Sequence, residues 1–137
     1  MSDLPNLVVD GSTFDDFDGF FRQFSCLLDD YTWRGGLDAF NDILRGDFGT
    51  PEPGWVLHWL NSARSCRALG HRAAAKRLES LLPQVHPTNR ASFEQRLAAA
   101  QRGAGPTLFD EIVNIIREHG PGGREEEDGV LLELARP

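Results

Sequence analysis

Two aspartates four positions apart, Asp38 and Asp42, are the residues whose type and spacing best suit binding chemistry. On a helix, at about 100° per residue, they lie next to each other. The opposite side of the same helix is an apolar stripe of Leu37, Phe40, Ile43 and Leu44. Like charges at this spacing destabilise an isolated helix by about 0.2–0.5 kcal/mol. The pair is therefore either an ordinary solvated helix face or a surface that binds cationic groups.

The residues around this pair narrow its interpretation. Trp33 and two glycines precede the predicted helix, and Arg45-Gly46 is a typical helix end. Together these residues resemble the barstar family, intracellular protein inhibitors of small secreted ribonucleases. That family carries an aromatic residue, a short turn and then the pattern Leu-Asp-Ala-apolar-x-Asp-x-Leu-x-Gly. The residues in those places here are Leu37, Asp38, Ala39, Phe40, Asp42, Leu44 and Gly46.

The resemblance implies a function and a set of binding residues. In the family, the two aspartates enter the active site of the ribonuclease and imitate substrate phosphates, so Asp38 and Asp42 are the predicted centre of the contact. Trp33 and Tyr31 are expected to pack beside them, because aromatic side chains are common interface anchors. The other predicted partner-binding residues are Gly36, Asn41 and Glu118, the last matching a glutamate on the last helix of the family.

The resemblance further implies a cytoplasmic antitoxin that is monomeric when free and binds a small basic ribonuclease as its protein partner. No catalytic residue, cofactor or metal ion is expected, and no direct contact with nucleic acid or a membrane. Three departures keep alternatives open: Arg34 replaces a usual glycine, Gly36 a usual asparagine, and Asp47-Phe48 an aromatic residue that often contacts the nuclease. The first alternative is an interaction or regulatory module of the same fold with a non-nuclease partner. The second is a small metal-dependent enzyme that uses the acidic face.

Features that suggest an enzyme lack the required context. The glycine-rich loop 120–123 follows a predicted helix and precedes a strand, whereas a phosphate-binding loop has the reverse order. The acidic run 125–128 lacks the ligand spacing of a calcium loop and is predicted to be a solvated turn. No zinc-ligand spacing connects the histidines, which are His58, His71, His86 and His119. The sequence therefore favours a protein that is not an enzyme.

The aspartate helix must be positioned by a larger fold, which the pattern predicts to be α/β. Three short apolar runs, 7–9, 56–60 and 130–134, are predicted strands separated by helical segments, and this order favours a three-stranded parallel sheet packed with helices. A core-facing helical stripe is predicted from the spacing of Phe14, Phe17, Phe21, Phe24 and Leu28. Residues 1–137 are predicted to form a single domain. Residues 71–106 are predicted to be a helical insertion on the rim, before the last core helix, and to be dispensable for folding.

The charge is unevenly distributed along the chain. Residues 1–63 hold eleven acidic and three basic side chains, residues 64–106 two and eight, and residues 107–137 eight and three, for a net charge of −7. Such an acidic protein repels nucleic acid and attracts basic proteins at long range.

Cysteine usage and hydropathy indicate the compartment. Cys26 and Cys66 show no paired spacing and are expected to be reduced and buried, as in a cytoplasmic protein. The first residues lack the basic and apolar pattern of a signal peptide, and no apolar run approaches the ~18 residues of a membrane span.

Overall fold

A three-stranded sheet lies at the centre of the computed structural model, which describes residues 4–29, 31–46, 48–51 and 54–136. Its strands are β1 (Asn6–Asp10), β2 (Trp55–Leu60) and β3 (Val130–Ala135), with β2 in the middle. Both pairings are parallel, and Val8, His58 and Glu133 share one row across the sheet. The predicted α/β fold with a small parallel sheet is confirmed.

Six α-helices in the described part of the chain connect and cover the strands. Between β1 and β2 lie α1 (Phe17–Ser25) and α2 (Leu37–Arg45). Between β2 and β3 lie α3 (Ser62–Ala68), α4 (His71–Leu81), α5 (Pro87–Gln101) and α6 (Leu108–Glu118). Short 3-10 turns are found at Gly11–Thr13, Leu82–Gln84 and Glu126–Asp128. Parallel strands require such crossovers, because the chain must return to the same end of the sheet before each new strand.

An aromatic cluster fills the space between the sheet and the first two helices. Of the predicted stripe, Phe14, Phe24 and Leu28 are buried, whereas Phe17 and Phe21 are only partly buried against the core. Phe20, which the sequence pattern did not select, is fully buried. Phe20 stacks on Trp59 of β2 with 5.0 Å between ring centres, and Phe40 of α2 stacks on Trp33 with 4.8 Å. Aromatic side chains each bury roughly 150–250 Å² and dominate the energetics of such cores. The position of α2 is therefore set by the packing of its apolar side against this cluster.

Residues 71–106 form a hairpin of α4 and α5, and the two helices differ in burial. α4 buries Ala74, Ala75 and Leu78 against the core, whereas α5 buries one residue, Ala100. The core contact of this segment is therefore chiefly that of α4. That the segment is an insertion, and that it is dispensable, stays a prediction.

The surface of the molecule corrects one expectation about the cysteines. Cys26 and Cys66 are both free, and both are exposed rather than buried. Cys26 directly follows α1, and Cys66 lies on the solvent side of α3, where neither thiol contributes to the core. Among the described helices, none combines the length and the apolar character needed to cross a membrane.

Candidate partner-binding site

The helix α2 presents two aspartates to solvent because its other side is buried. Its apolar residues Phe40, Ile43 and Leu44 are at most 1 % exposed and anchor the helix to the core. Asp38 and Asp42 lie opposite this stripe and are exposed. We call this pair the acidic face. The predicted spacing thus produces a short, firmly packed helix with two carboxylates on its free side.

A groove between α2 and α6 collects most of the predicted binding residues. Asp38, Asn41 and Asp42 contribute from α2 and Glu118 from α6, and the groove has a volume of about 550 Å³. Leu37, Asn114 and Ile115 also line it. We call it the acidic groove. The structure therefore brings together four of the seven predicted residues, although Glu118 is far from α2 in sequence.

Asp42 has an ion-pair partner that the sequence analysis missed. The Nη1 atom of Arg45 lies 2.9 Å from Oδ1 of Asp42, and its Nε lies 2.6 Å from Oε1 of Glu125. The hydrogen bond and charge of Glu125 raise the pKa of Arg45, and Asp42 adds to this effect. The signal was present, because residues three apart are neighbours on a helix. Asp42 nevertheless stays 54 % exposed and open to a partner.

Glu118 is held ionised by a neighbouring cation. The Nε atom of Arg124 donates to Oε2 of Glu118 at 2.6 Å. This hydrogen bond, followed by the charge of Arg124, lowers the pKa of Glu118, while partial burial opposes the shift. Arg124 also lines the acidic groove, so it partly neutralises that end of the site.

Asn41, between the two aspartates on the chain, is fixed from below by a buried histidine. Nε2 of His119 lies 2.7 Å from Oδ1 of Asn41, and Nδ1 lies 2.7 Å from Oδ2 of Asp128. The His119 side chain is 0 % exposed. Sequence reasoning gave His119 no role beyond the end of α6, since spacing alone does not show a contact between residues so far apart. The contact ties the acidic face to the turn before β3.

The acidic turn before β3 is only partly solvated as predicted: Glu126 and Glu127 are exposed, whereas Glu125 and Asp128 are partly buried and paired. Asp128 pairs with His119, and Glu125 pairs with Arg45 and lies 3.6 Å from His119. His119, Glu125 and Asp128 together offer three potential metal-ligand atoms within 4.8 Å of one another. Both ring nitrogens of His119, however, already have protein partners, and a cation would have to approach beside Arg45. The arrangement is a network of hydrogen bonds around His119, joined to the ion pair of Arg45 and Glu125.

Trp33 is wrongly predicted to be a direct contact. It is 1 % exposed, and its indole Nε1 donates to the carbonyl of Gly36 at 2.9 Å. Its backbone is tied to Ser25, whose Oγ accepts from the Trp33 amide and donates to the Trp33 carbonyl. The ring packs in the core and leaves almost none of its surface for a partner to contact. Trp33 instead fixes the turn that leads into α2.

Tyr31 and Gly36 are exposed but lie outside the acidic groove. The Tyr31 ring packs beside Phe48 with 5.2 Å between ring centres, so the two form a small exposed aromatic pair. Gly36 is the residue before α2, and its carbonyl accepts from Phe40 N at 2.9 Å. Asp47, one of the departures from the family pattern, lies outside the described residues.

Comparison with known proteins identifies a family. The family model described as Barstar (barnase inhibitor) matches residues 4–98 of the chain, a range that includes α2 and its acidic face. This match confirms the resemblance found at residues 37–46. Glu118 lies beyond the matched range, so its place in the site depends on geometry. No curated protein and no solved structure matches the chain.

Proposed function

The chain belongs to the barstar family, and we propose that it inhibits a small basic ribonuclease by covering the active site of that enzyme with the acidic face. The observation that carries the proposal is the exposed pair of Asp38 and Asp42 on a helix whose other side is buried. The biological role that follows is that of a cytoplasmic antitoxin, which protects its cell from a nuclease.

The proposed inhibition is competition with RNA. The carboxylates of Asp38 and Asp42 take the places of RNA phosphates and accept charge-assisted hydrogen bonds from the Arg, Lys and His groups of the nuclease. Glu118 adds a third carboxylate at the edge of the acidic groove. Because these groups are carried by packed helices, few new side-chain and backbone constraints are needed on binding, which favours affinity.

The direct test is inhibition of barnase, the enzyme named in the family description, and of a panel of other small basic ribonucleases. Cleavage of a fluorogenic RNA is measured at several substrate and inhibitor concentrations. We expect inhibition that competes with RNA and is complete at one inhibitor per enzyme. If the wild-type chain inhibits no enzyme of the panel, the proposal is wrong.

The variant Asp42→Ala separates binding from folding. We expect its affinity for the inhibited nuclease to fall by about 2–5 kcal/mol, a range known in part from the complex that gives the family its name, because the cationic group it faces is left unpaired. Its free energy of unfolding should change by less than about 1 kcal/mol, since the pair with Arg45 is exposed.

Glu94→Ala is the matched control for that variant. Glu94 pairs with Arg90 on α5 and is also 54 % exposed, so the substitution removes the same charge from an equally exposed ion pair away from the acidic groove. Thermal melts and inhibition titrations are compared for the two variants. An Asp42→Ala protein that unfolds early yet inhibits normally would make Asp42 a structural residue.

A second candidate function is binding of a basic protein that is not a nuclease. The exposed Arg34 and the side-chain-free Gly36, both departures from the family pattern, lie directly before α2 and favour a changed partner. Under this alternative the acidic face still binds cationic groups, but RNA cleavage by every ribonuclease in the panel stays unaffected.

A further inference from the structure

A second groove continues from the acidic groove toward the α4–α5 hairpin. It has a volume of about 630 Å³, and we call it the rim groove. The two grooves share Leu37, Asp38, Asn114 and Ile115, so they form one continuous surface. Apolar side chains of the hairpin line the far side of the rim groove, among them Leu81 and Phe93. A protein seated on the acidic face therefore lies directly beside this groove.

One residue that lines the rim groove is Arg77 of α4, whose guanidinium has no hydrogen bond or ion pair among the described residues. Arg77 is half-buried, with its guanidinium 6.0 Å from the centre of the Phe17 ring. Burial lowers the pKa of Arg77, while the more distant charges of Glu111 and Asp38 oppose that shift. A partly desolvated charge without a partner is costly, and a guanidinium has five donors to satisfy.

The other arginine of the rim groove, Arg96, has both an acidic and an aromatic partner. Arg96 lies 3.2 Å from a carboxylate oxygen of Glu111, and its guanidinium rests 5.0 Å from the centre of the Phe93 ring. Both charged partners of that pair line the same groove as Arg77. The arginine of the groove that has no paired carboxylate is therefore Arg77, and the groove around it is lined by apolar side chains and, at its shared end, by Asp38.

We propose that the rim groove binds a second segment of the same protein partner, one that carries an aspartate or glutamate next to a large apolar side chain. The inference depends on the proposed function, because it extends the surface that the partner covers. A carboxylate pairs with a guanidinium through two parallel hydrogen bonds, which matches the uncommitted donors of Arg77. The neighbouring apolar side chain packs against Leu81, Phe93 and Ile115.

Charge and lining favour a protein segment over RNA. A guanidinium also binds phosphate, but Asp38 lies in the same groove and repels a polyanion, and Arg96 is already neutralised by Glu111. A single carboxylate brings one negative charge and leaves the rest of the groove to apolar contact. Direct RNA binding is nevertheless measured as a separate arm of the test.

The test compares Arg77→Met, Arg77→Lys, Lys76→Met and Asp42→Ala against wild type, with barnase or the ribonuclease of the panel that is inhibited most strongly. Arg77→Met keeps the length and apolar stem of the side chain but removes the charge. Lys76→Met is the matched control, because the neighbouring Lys76 is exposed and does not line the rim groove. Dissociation constants are measured, and thermal melts show that each variant is folded.

We expect Arg77→Met to weaken binding about thirtyfold or more, mainly through faster dissociation, with Arg77→Lys intermediate and Lys76→Met within about twofold of wild type. If Asp42→Ala weakens binding while Arg77→Met behaves like Lys76→Met, the rim-groove inference is wrong and the proposed function stands. If neither Asp42→Ala nor Arg77→Met weakens binding, the proposed function fails as well.

Two further arms keep the result unambiguous. Should Arg77→Met fail to fold, Arg77→Lys and the charge reversal Arg77→Glu replace it, and loss of binding in both folded variants, larger for Arg77→Glu, supports the inference. A fluorescently labelled single-stranded RNA is titrated with the free protein in the absence of nuclease. RNA binding that Arg77→Met abolishes would overturn the inference, because the groove would then recognise phosphate.

Discussion

The aspartates of this protein differ in how much their contacts contribute to the fold. Asp10 accepts hydrogen bonds from the Ser12 amide at 2.9 Å and the Asn61 amide group at 2.8 Å, and these bonds lower its pKa. Asp128 pairs with the buried His119. Asp38 and Asp42, by contrast, lie on the exposed side of α2, where the fold gains little from their charge. A carboxylate that folding does not need is available for recognition.

At Glu118, the effect of one neighbour on ionisation is measurable. Because Arg124 holds the pKa of Glu118 below the ordinary value of a glutamate, we expect Arg124→Gln to raise that pKa. NMR titration of the side-chain carboxyl carbon measures the change, with the exposed Arg136→Gln as control. Because the pKa of Glu118 is lower in the folded state than in the unfolded state, its ionisation stabilises the protein at any pH above the unfolded-state pKa. This stabilisation is lost as the pH falls through the folded-state pKa. An unchanged Glu118 pKa in Arg124→Gln would show that the pair does not persist in solution.

His119 supports the acidic groove from the core, because it joins Asn41 of the groove to Asp128. We expect His119→Ala to lower the free energy of unfolding by about 2–4 kcal/mol, because it strands the polar groups of Asn41 and Asp128. His58→Ala is the control: His58 also contacts two side chains, Asn6 and Glu133, but on the partly exposed face of the sheet, and its loss should cost about 1 kcal/mol or less. Urea denaturation measures the free energy of unfolding of both variants. Equal losses would show that the buried contacts of His119 stabilise the protein no more than the exposed contacts of His58.

At the scale of elements, the sequence pattern was sufficient to predict those helices and strands whose structure depends on residues close together in the chain. The stripe of α2, most of the phenylalanines of α1 and the three strands followed from periodicity. Trp33 was misassigned because an aromatic residue in a loop fits an interface and a core equally well on sequence alone. The Asn41–His119 contact joins α2 to the end of α6, and no local pattern encodes such a distant pairing.

The two helices of residues 71–106 are expected to differ in their importance for stability. Leu78 of α4 is 5 % exposed, whereas Leu97 of α5 is half-buried. We expect Leu78→Ala to cost about 2–4 kcal/mol of unfolding free energy and Leu97→Ala about 1 kcal/mol or less, since a cavity costs most where the surroundings are closely packed. Denaturant unfolding measures both. A negligible cost at Leu78 would support the prediction that the whole segment is dispensable, and similar large costs would make the hairpin one unit of the core.

At the scale of the whole molecule, the charge is segregated between segments of the chain. The acidic residues are concentrated in segments 1–63 and 107–137, the two segments that supply α2 and α6 to the acidic groove, while the basic segment 64–106 supplies the hairpin beside it. Under the proposed function, the long-range field attracts a basic partner and orients it toward the acidic groove. The hairpin would then border the bound protein, as the rim-groove inference requires.

This distribution predicts how association with a basic ribonuclease depends on salt. The Debye length falls from about 30 Å at 0.01 M to about 3 Å at 1 M ionic strength, so steering by the net charge of −7 is progressively screened. We expect the association rate constant, measured by stopped-flow fluorescence, to fall about tenfold or more over this range, with a much smaller change in the dissociation rate constant. Glu127→Gln, which removes an exposed charge outside the acidic groove, should slow association slightly and leave dissociation unchanged. An association rate that is independent of salt would contradict phosphate mimicry, because opposite charges would then not guide the encounter.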